Sequence, residues 1–197
     1  LAPFYINELN IIEQVSKSLP IGWKLYVKEH QAMIGERSLS FYESVNKFPN
    51  VKMVQLNYYD DPKPWIEKSK GVITITGTAA YEAALLGKKS LVFGDLPFNL
   101  IDGVTRVDSF EQLPKLIGSF KEIDNIHSCA AYIAAVKSIG IEVDLTYLLS
   151  TRTCLFSINF AANDLLGITS IKRVSITSRR SFWRLSGTII SILLFMI

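Results

Sequence analysis

Short apolar runs recur along the first 110 residues, each with the length of a strand. They are rich in β-branched and aromatic side chains, and they span 23–27, 51–56, 71–75, 90–93 and 103–107. Runs of this length, bounded by Gly, Pro and polar residues, are typical of buried strands. The pattern therefore predicts five strands.

Segments with helical spacing separate these strands. In the first of them, 7–18, apolar side chains recur at positions 9, 11, 12 and 15, and Pro20 ends the pattern. Further helices are predicted at 38–48, 62–69, 79–86, 109–120 and 124–139. Because strands that alternate with helices build parallel sheets, the sequence predicts an α/β fold with a doubly wound, parallel, Rossmann-like sheet.

The most informative stretch is 70–94, which reads KGVITITGTAAYEAALLGKKSLVFG. It contains a buried strand, a small-residue turn, a helix that ends at Gly87, and a second strand. The turn consists of Thr76, Gly77 and Thr78. A turn of this composition at a helix start offers an anion N–H groups, two hydroxyls and the positive end of the helix dipole. We therefore expect it to bind a phosphate.

Other polar residues follow predicted strands and should lie near this turn. Parallel strands joined by right-handed crossovers end at one edge of the sheet, where ligands bind in open α/β sheets. His30 and Gly94 follow two of the strands, so both are expected at this edge. Glu82 lies one helical turn after Thr78, where a carboxylate suits the two hydroxyls of a ribose.

The strand that precedes His30 ends in two charged residues, Lys28 and Glu29. Both are candidates to frame the site, although one of them must point away because side chains alternate along a strand. Arg37 is placed to bind a phosphate or a sugar carboxylate through two hydrogen bonds. A surface arginine without a ligand is the alternative for Arg37.

Two further pairs of residues are candidates for ligand contact. Asn57 and Tyr58 follow the second predicted strand, where they would meet the base or ribose of a nucleotide. Phe98 and Asn99 follow Gly94, where they would close over a sugar.

Composition excludes several classes of function. The net charge of the 197-residue chain is only +3, which gives no reason to expect a nucleic acid partner. Two cysteines, Cys129 and Cys154, are too few for a disulfide framework or a zinc site. We therefore expect a reduced, cytoplasmic chain without a metal. The first residue is Leu1 rather than Met, so we expect that an amino-terminal part is missing.

The periodic pattern is lost from about residue 146. Residues 151–197 carry six basic side chains and one acidic side chain, whereas the first 150 residues carry 15 basic and 17 acidic ones. The chain ends in TIISILLFMI, about half of the roughly 20 residues that a bilayer-spanning helix needs. A truncated membrane segment, a buried strand and an out-of-frame sequence stay open for this end. We predict one domain over 1–145 and an irregular basic and apolar tail over 146–197.

Several short motifs occur in an order and spacing that resemble one protein family. They are Lys28-Glu29-His30, Arg37, Phe41-Tyr42, Phe48-Pro49-Asn50-Val51, Ile75-Thr76-Gly77-Thr78, Glu82-Ala83, Gly87-Lys88 and Val92-Phe93-Gly94. Over about residues 20–110, the chain is similar to the carboxyl-terminal, donor-binding half of the bacterial capsular polysaccharide biosynthesis proteins. That family includes enzymes of GT-B architecture that transfer the sugar acid Kdo from its CMP-activated form.

The resemblance implies a glycosyltransferase donor-binding domain for surface or capsular polysaccharide. His30 would be the catalytic residue, contacting the phosphate or the leaving-group oxygen. The other binding residues would be Lys28, Arg37, Asn57, Tyr58, Thr76, Gly77, Thr78 and Glu82. No cofactor is expected beside a CMP- or UDP-linked sugar, and the acceptor would be a glycan or a glycolipid. A missing amino-terminal domain would bind that acceptor, so this chain alone would be inactive.

Two other functions stay open at this point. A UDP-N-acetylhexosamine 2-epimerase-like enzyme would share the fold and the helix that carries Glu82. A non-catalytic scaffold of a polysaccharide assembly complex would share the fold without the chemistry. For either enzyme the location would be cytoplasmic. The basic tail is also compatible with peripheral binding to the anionic surface of the inner membrane.

Overall fold

The computed structural model of the chain describes residues 2–29, 36–54 and 62–140, together with the backbone of 192–196. Within these ranges there are six α-helices: α1 (Glu8–Ser18), α2 (Leu39–Asn46), α3 (Lys63–Lys68), α4 (Ala79–Leu85), α5 (Leu113–Gly118) and α6 (Ile126–Ile139).

Six strands belong to a single sheet in the described part of the chain. They are β1 (Leu25–Glu29), β2 (Val51–Val54), β3 (Gly71–Thr74), β4 (Ser90–Val92), β5 (Val104–Arg106) and β6 (Ile192–Met196). Their order across the sheet is β2-β1-β6-β3-β4-β5. The β1–β2 pair is parallel, as are the β3–β4 and β4–β5 pairs, whereas β6 is antiparallel to both of its neighbours, β1 and β3.

Local sequence signals account for the ends of several helices. Asn7 caps α1, because its side-chain oxygen accepts the N–H of Asn10 at 3.0 Å. Gly87 follows α4 with a φ of 68°, in the left-handed region that favours glycine after a helix. The segment predicted as one helix at 109–120 is divided into a 3-10 turn, Phe110–Gln112, and α5. Pro114 explains this division, because proline fits only the first turn of a helix.

Helices cover both faces of the sheet. On one face, Ile12 of α1 and Ile117 of α5 pack in one core with Leu25 of β1, and α2 adds Val45 to the same core. Each of these side chains is fully buried, and burying an isoleucine or leucine stabilises the fold by roughly 1.5–3 kcal/mol.

Two smaller cores lie on the opposite face. Val72 of β3 packs with Ile66 of α3 and Ala83 of α4. Val92 of β4 packs with Ala80 of α4 and Cys129 of α6, among others. Helices on both faces are the arrangement of a doubly wound sheet.

The chain divides into two compact units. The first comprises 1–134 and 188–197, which include the whole sheet. The second is 135–187, of which the structure describes only 135–140, the end of α6. There, the N–H of Gly140 donates to the carbonyl of Val136 at 2.7 Å.

The α/β fold predicted from the sequence is confirmed, and its parallel strands with helices on both faces are consistent with a Rossmann-like arrangement. The sheet is not parallel throughout, however, because β6 enters it in the opposite direction. β6 comes from the apolar end of the chain, for which a buried strand was one of three alternatives. The predicted boundary between residues 145 and 146 lies outside the described residues.

Candidate functional site at the carboxyl edge of the sheet

The carboxyl ends of β1, β3 and β4 lie at one edge of the sheet, because these strands share a direction. The chain order reverses at the centre of this edge. From β1 the chain continues outward to β2, and from β3 it continues outward to β4 and β5 on the other side. Open α/β sheets bind ligands beside the carboxyl ends at such a reversal, and here β6 lies at the reversal, between β1 and β3.

The turn Thr76–Thr78 lies at this reversal, directly after β3. Its conformation depends on Thr74, whose hydroxyl oxygen accepts the N–H of Gly77 at 3.1 Å. A Cβ on Gly77 would lie 2.6 Å from that oxygen, so the turn requires glycine for close approach. The N–H of Gly77 is therefore already bonded within the chain. The other polar groups of this turn are the hydroxyls of Thr76 and Thr78 and the N–H groups at the start of α4, of which the Ala80 N–H donates to the carbonyl of Gly77 at 3.4 Å.

Glu82 and Thr78 are joined by a hydrogen bond. The hydroxyl of Thr78 donates to Oε1 of Glu82 at 3.2 Å, and it does not cap α4. Thr78 is exposed and Glu82 is half-buried, so both reach the solvent at the carboxyl edge of the sheet.

Lys28, near the end of β1, is attracted to Glu82 through charge. Burial lowers the pKa of the Lys28 ammonium, and attraction to the Glu82 carboxylate partly offsets that shift. The ammonium donates to the carbonyl of Glu29 at 3.3 Å. Lys28 and Glu82, which belong to segments about 50 residues apart, thus interact through charge, and no hydrogen bond or ion pair joins them among the described contacts.

Glu29 points to the opposite face of the sheet. It is buried together with Leu25 and Val27, whereas Lys28 alternates with them. The expectation that one residue of the Lys28-Glu29 pair points away is therefore confirmed. The structure assigns Lys28 to the face of α3 and α4, and Glu29 to the face of α1 and α2.

Arg37 binds Glu29 on that opposite face. Its guanidinium donates to Glu29 at 2.5 Å and to both carboxylate oxygens of Glu8 at 2.6 and 2.7 Å. The Arg37 side chain is only 7% exposed, and its guanidinium carbon lies 5.3 Å from the ring centre of Phe41. Tyr42 donates to both oxygens of Glu29 at 2.9 Å. Two carboxylates therefore already bind the Arg37 guanidinium.

These contacts determine two pKa shifts. Burial alone would lower the pKa of Arg37, but hydrogen bonds and charge attraction from Glu8 and Glu29 raise it above its ordinary value. Burial raises the pKa of Tyr42, and the hydrogen bond to Glu29 raises it further. At neutral pH Arg37 is therefore cationic and the phenol of Tyr42 is neutral.

Asn99 contributes an unsatisfied acceptor to the loop after β4. Its side-chain N–H donates to the carbonyl of Gly94 at 3.0 Å, which fixes the orientation of the amide. The other amide atom, Oδ1, is buried and has no hydrogen-bond partner among the described residues. Buried acceptors are rarely left unpaired, so a donor from a ligand or a water would complete this group.

The structure thus brings together some of the predicted site residues and not others. Thr76, Gly77, Thr78, Glu82 and Lys28 lie at the carboxyl edge of the sheet. Arg37 belongs instead to the ion-pair cluster with Glu8 and Glu29, and its described contacts do not include the Thr76–Thr78 turn. Three other predicted site residues lie outside the described residues: His30, Asn57 and Tyr58.

Sequence reasoning overlooked two residues that shape this region. Thr74 is 2% exposed and fixes the turn through Gly77. In the sequence, Thr74 differs from its neighbours because it is a hydroxyl residue within an otherwise apolar run. Glu8 binds Arg37, although an acidic residue in the first turn of a helix ordinarily indicates only an interaction with the helix dipole.

No family model, curated protein or solved structure matches the chain. Within the described ranges, no group of three His, Cys, Asp or Glu side chains is arranged to hold a metal ion. None of the described helices is long and apolar enough to cross a bilayer.

Proposed function

We propose that the chain is the donor-binding part of a glycosyltransferase for surface or capsular polysaccharide. It would bind a CMP- or UDP-linked sugar, such as CMP-activated Kdo, at the carboxyl edge of the sheet, beside β1 and β3. The proposed compartment is the cytoplasm. The basis for the family is the motif series over residues 20–110, and the polar groups at the carboxyl edge of the sheet are what would bind the ligand.

One observation carries this proposal: Lys28 near the end of β1 and the hydrogen-bonded pair Thr78–Glu82 after β3 lie at the carboxyl edge of the sheet, within electrostatic range of each other. A nucleotide sugar presents a phosphate and a ribose diol close together. The Lys28 ammonium suits the phosphate, and the Thr78 hydroxyl would turn from Glu82 to donate to the same phosphate. The Glu82 carboxylate can then accept hydrogen bonds from both hydroxyls of the diol. This combination of a cation, a hydroxyl and a carboxylate is what such a ligand requires.

The transfer would be a substitution at the anomeric carbon. The bond from that carbon to the phosphate oxygen breaks, and its electron pair leaves with the nucleotide. An acceptor hydroxyl forms the new bond and gives its proton to a base. Lys28 and Thr78 would stabilise the charge that develops on the leaving phosphate, and His30 would donate a hydrogen bond to its oxygen.

Asn99 supports a sugar next to the nucleotide. Its buried Oδ1 lacks a donor among the described residues, and its amide is held in place by Gly94. A sugar hydroxyl would supply that donor once the loop after β4 opened, because Oδ1 has almost no accessible surface in the described structure. Binding would then satisfy an acceptor whose burial is otherwise unfavourable.

The base and the acceptor site would belong to an amino-terminal domain outside residues 1–197, so this chain alone would bind the donor without transferring the sugar. The acceptor would be a glycan or a glycolipid. Turnover by the 197-residue chain alone would contradict this part of the proposal.

The test is thermal unfolding of the full chain in the presence of CMP, UDP or inorganic phosphate. A ligand at 100 times its dissociation constant stabilises the folded state by about 2.7 kcal/mol, which gives a measurable shift. We expect CMP to stabilise the chain. Thr78→Val and Glu82→Gln should abolish that stabilisation because they remove the groups proposed to bind phosphate and ribose.

Thr105→Val is the matched control, since Thr105 is an exposed threonine on β5. It should leave the CMP shift unchanged. Stabilisation by UDP but not by CMP would favour an epimerase-like or UDP-sugar enzyme. The absence of any shift in a folded chain would contradict donor binding and favour the scaffold function.

A further inference from the structure

The strand at the centre of the sheet runs against all the others. β6 pairs with β1 on one side and with β3 on the other, over Leu25–Glu29 and Gly71–Thr74. The remaining strands form two parallel groups that β6 alone connects. The identity of the strand in this position therefore determines whether the sheet is continuous.

The helix α1 has the direction of a crossover helix. The residues just before it lie near the carboxyl ends of β4 and β5, since the hydroxyl of Tyr5 donates to the carbonyl of Asp108 at 3.0 Å. The ring of Tyr5 also lies 4.8 Å from that of Phe93. After α1, the chain enters β1 at its amino end. α1 thus leads from the carboxyl edge of the sheet back to the amino edge, as the helix of a β-α-β unit does.

α1 also lies on the face that such a unit requires. Its buried residues Ile11, Ile12 and Val15 pack in the same core as Leu25 and Ile73, which belong to β1 and β3. On that face α1 contacts both α2 and α5. It therefore covers the middle of the sheet, next to the helix that joins β1 to β2.

The handedness of crossovers fixes where a strand that precedes α1 would lie. Parallel β-α-β connections are right-handed in about 98% of cases. Two such connections on the same face step across the sheet in the same direction. Since α2 leads from β1 outward to β2, a strand leading through α1 into β1 must lie on the other side of β1. That position, between β1 and β3, is the one that β6 occupies.

We propose that the centre of the sheet is an acceptor site for a parallel strand that leads into α1, and that β6 is an alternative occupant running in the opposite direction. Both strands would use the same N–H and C=O groups of β1 and β3, so only one can be present at a time. The incoming strand would be four or five residues long and apolar on both sides, because helices cover both faces of the sheet.

This strand site has a consequence for the edge of the sheet where ligands are expected. A parallel strand would end beside Lys28, and its connection to α1 would then pass along the carboxyl edge. β6, by contrast, begins at that edge, with Ile192 opposite Glu29. The strand site is independent of nucleotide binding and stands whether or not the proposed function is correct.

The test adds a strand to the full chain. Five apolar residues of Val and Ile, followed by a short Gly-Ser connection, are fused ahead of Leu1, and amide hydrogen exchange is measured. We expect the amides of 192–196 to lose protection while those of β1 and β3 keep theirs. The control is the same extension with Pro at its centre, which cannot join a sheet interior and should leave β6 protected. Unchanged protection of β6 with the apolar extension would overturn the proposal.

A disulfide tests the direction of the added strand. In a chain with Cys129→Ser and Cys154→Ser, a cysteine at the carboxyl end of the extension should form a disulfide with Lys28→Cys. A disulfide formed only from the amino end of the extension would overturn the parallel direction. If the extended chain does not fold, the five-residue segment is added as a separate peptide to the variant Leu194→Pro, in which proline disrupts β6. We then expect the amides of β1 and β3 to regain protection from hydrogen exchange. No recovery would overturn the proposal.

Discussion

Thr74 and Gly77 determine the shape of the turn at the candidate site. The Thr74 hydroxyl oxygen accepts the N–H of Gly77 at 3.1 Å and lies 2.6 Å from the position that a Cβ on Gly77 would take. Thr74 is buried in β3, so it has little freedom to move away. A glycine at this position is therefore a steric requirement of the fold, whether or not the turn binds a ligand.

Gly77→Ala should lower the free energy of unfolding by roughly 1–3 kcal/mol, because the added methyl group forces Thr74 or the turn to shift. The measurement is urea denaturation. Gly118→Ala is the control, since nothing lies within 4 Å of a Cβ at Gly118, and it should be neutral or slightly stabilising. Combining Gly77→Ala with Thr74→Ala should cost less than the sum of the two changes. If the losses of unfolding free energy from the two changes were additive, the proposed clash between Thr74 and the added methyl group would be wrong.

Arg37→Met should destabilise the chain strongly. The guanidinium pairs with Glu8 and Glu29, and its loss would leave both carboxylates without a positive partner in a region where the Arg37 side chain is only 7% exposed. Breaking a buried ion pair costs about 3–5 kcal/mol. The matched control is Lys17→Met, which removes an exposed pair with Glu13 and should cost at most about 1 kcal/mol. Both variants are measured by urea denaturation. Equal losses of unfolding free energy for Arg37→Met and Lys17→Met would contradict the structural role of Arg37.

Tyr42 should make stability depend on alkaline pH. Its pKa is raised in the folded chain, so the folded state keeps the phenol proton at a pH where the unfolded state has lost it. The contribution of Tyr42 is therefore fully present below its ordinary pKa of 10.0 and is lost as pH rises through the folded value. The measurement compares the unfolding free energies of the parent chain and Tyr42→Phe between pH 7 and 11. If the difference in unfolding free energy between the parent chain and Tyr42→Phe stayed constant from pH 7 to 11, the phenol would not be hydrogen-bonded to Glu29.

Local patterns explain why the sequence predicts so much of this fold. The strand, turn, helix and strand of 70–94 are encoded within 25 consecutive residues, and Gly87 marks the helix end in both sequence and structure. The alternation along β1 also predicts that Lys28 and Glu29 diverge. Which face each of them meets depends on helices from other parts of the chain, so it could not be predicted.

Pairing across the chain explains what the sequence does not reveal. Arg37 binds Glu8, which lies 29 positions earlier in the chain. Neither residue belongs to a sequence motif that predicts contact with the other. The sequence predicts that Arg37 binds an anionic group through two hydrogen bonds. The structure shows that Glu8, a residue of the same chain, is such a group. Similarly, the apolar residues of β6 are compatible with any buried strand, and their composition does not specify the neighbours β1 and β3.

Lys28→Met should separate stability from ligand binding. Burial lowers the pKa of Lys28, so the folded state holds this charge less favourably than the unfolded state does. The parent chain should therefore gain stability relative to Lys28→Met as pH rises from the folded pKa toward the ordinary value of 10.5. At neutral pH we expect Lys28→Met to be at least as stable as the parent but to lose stabilisation by CMP. Lys24→Met, which changes an exposed lysine just before β1, should retain the CMP shift. If Lys28→Met kept the CMP shift, its ammonium would have no part in phosphate binding.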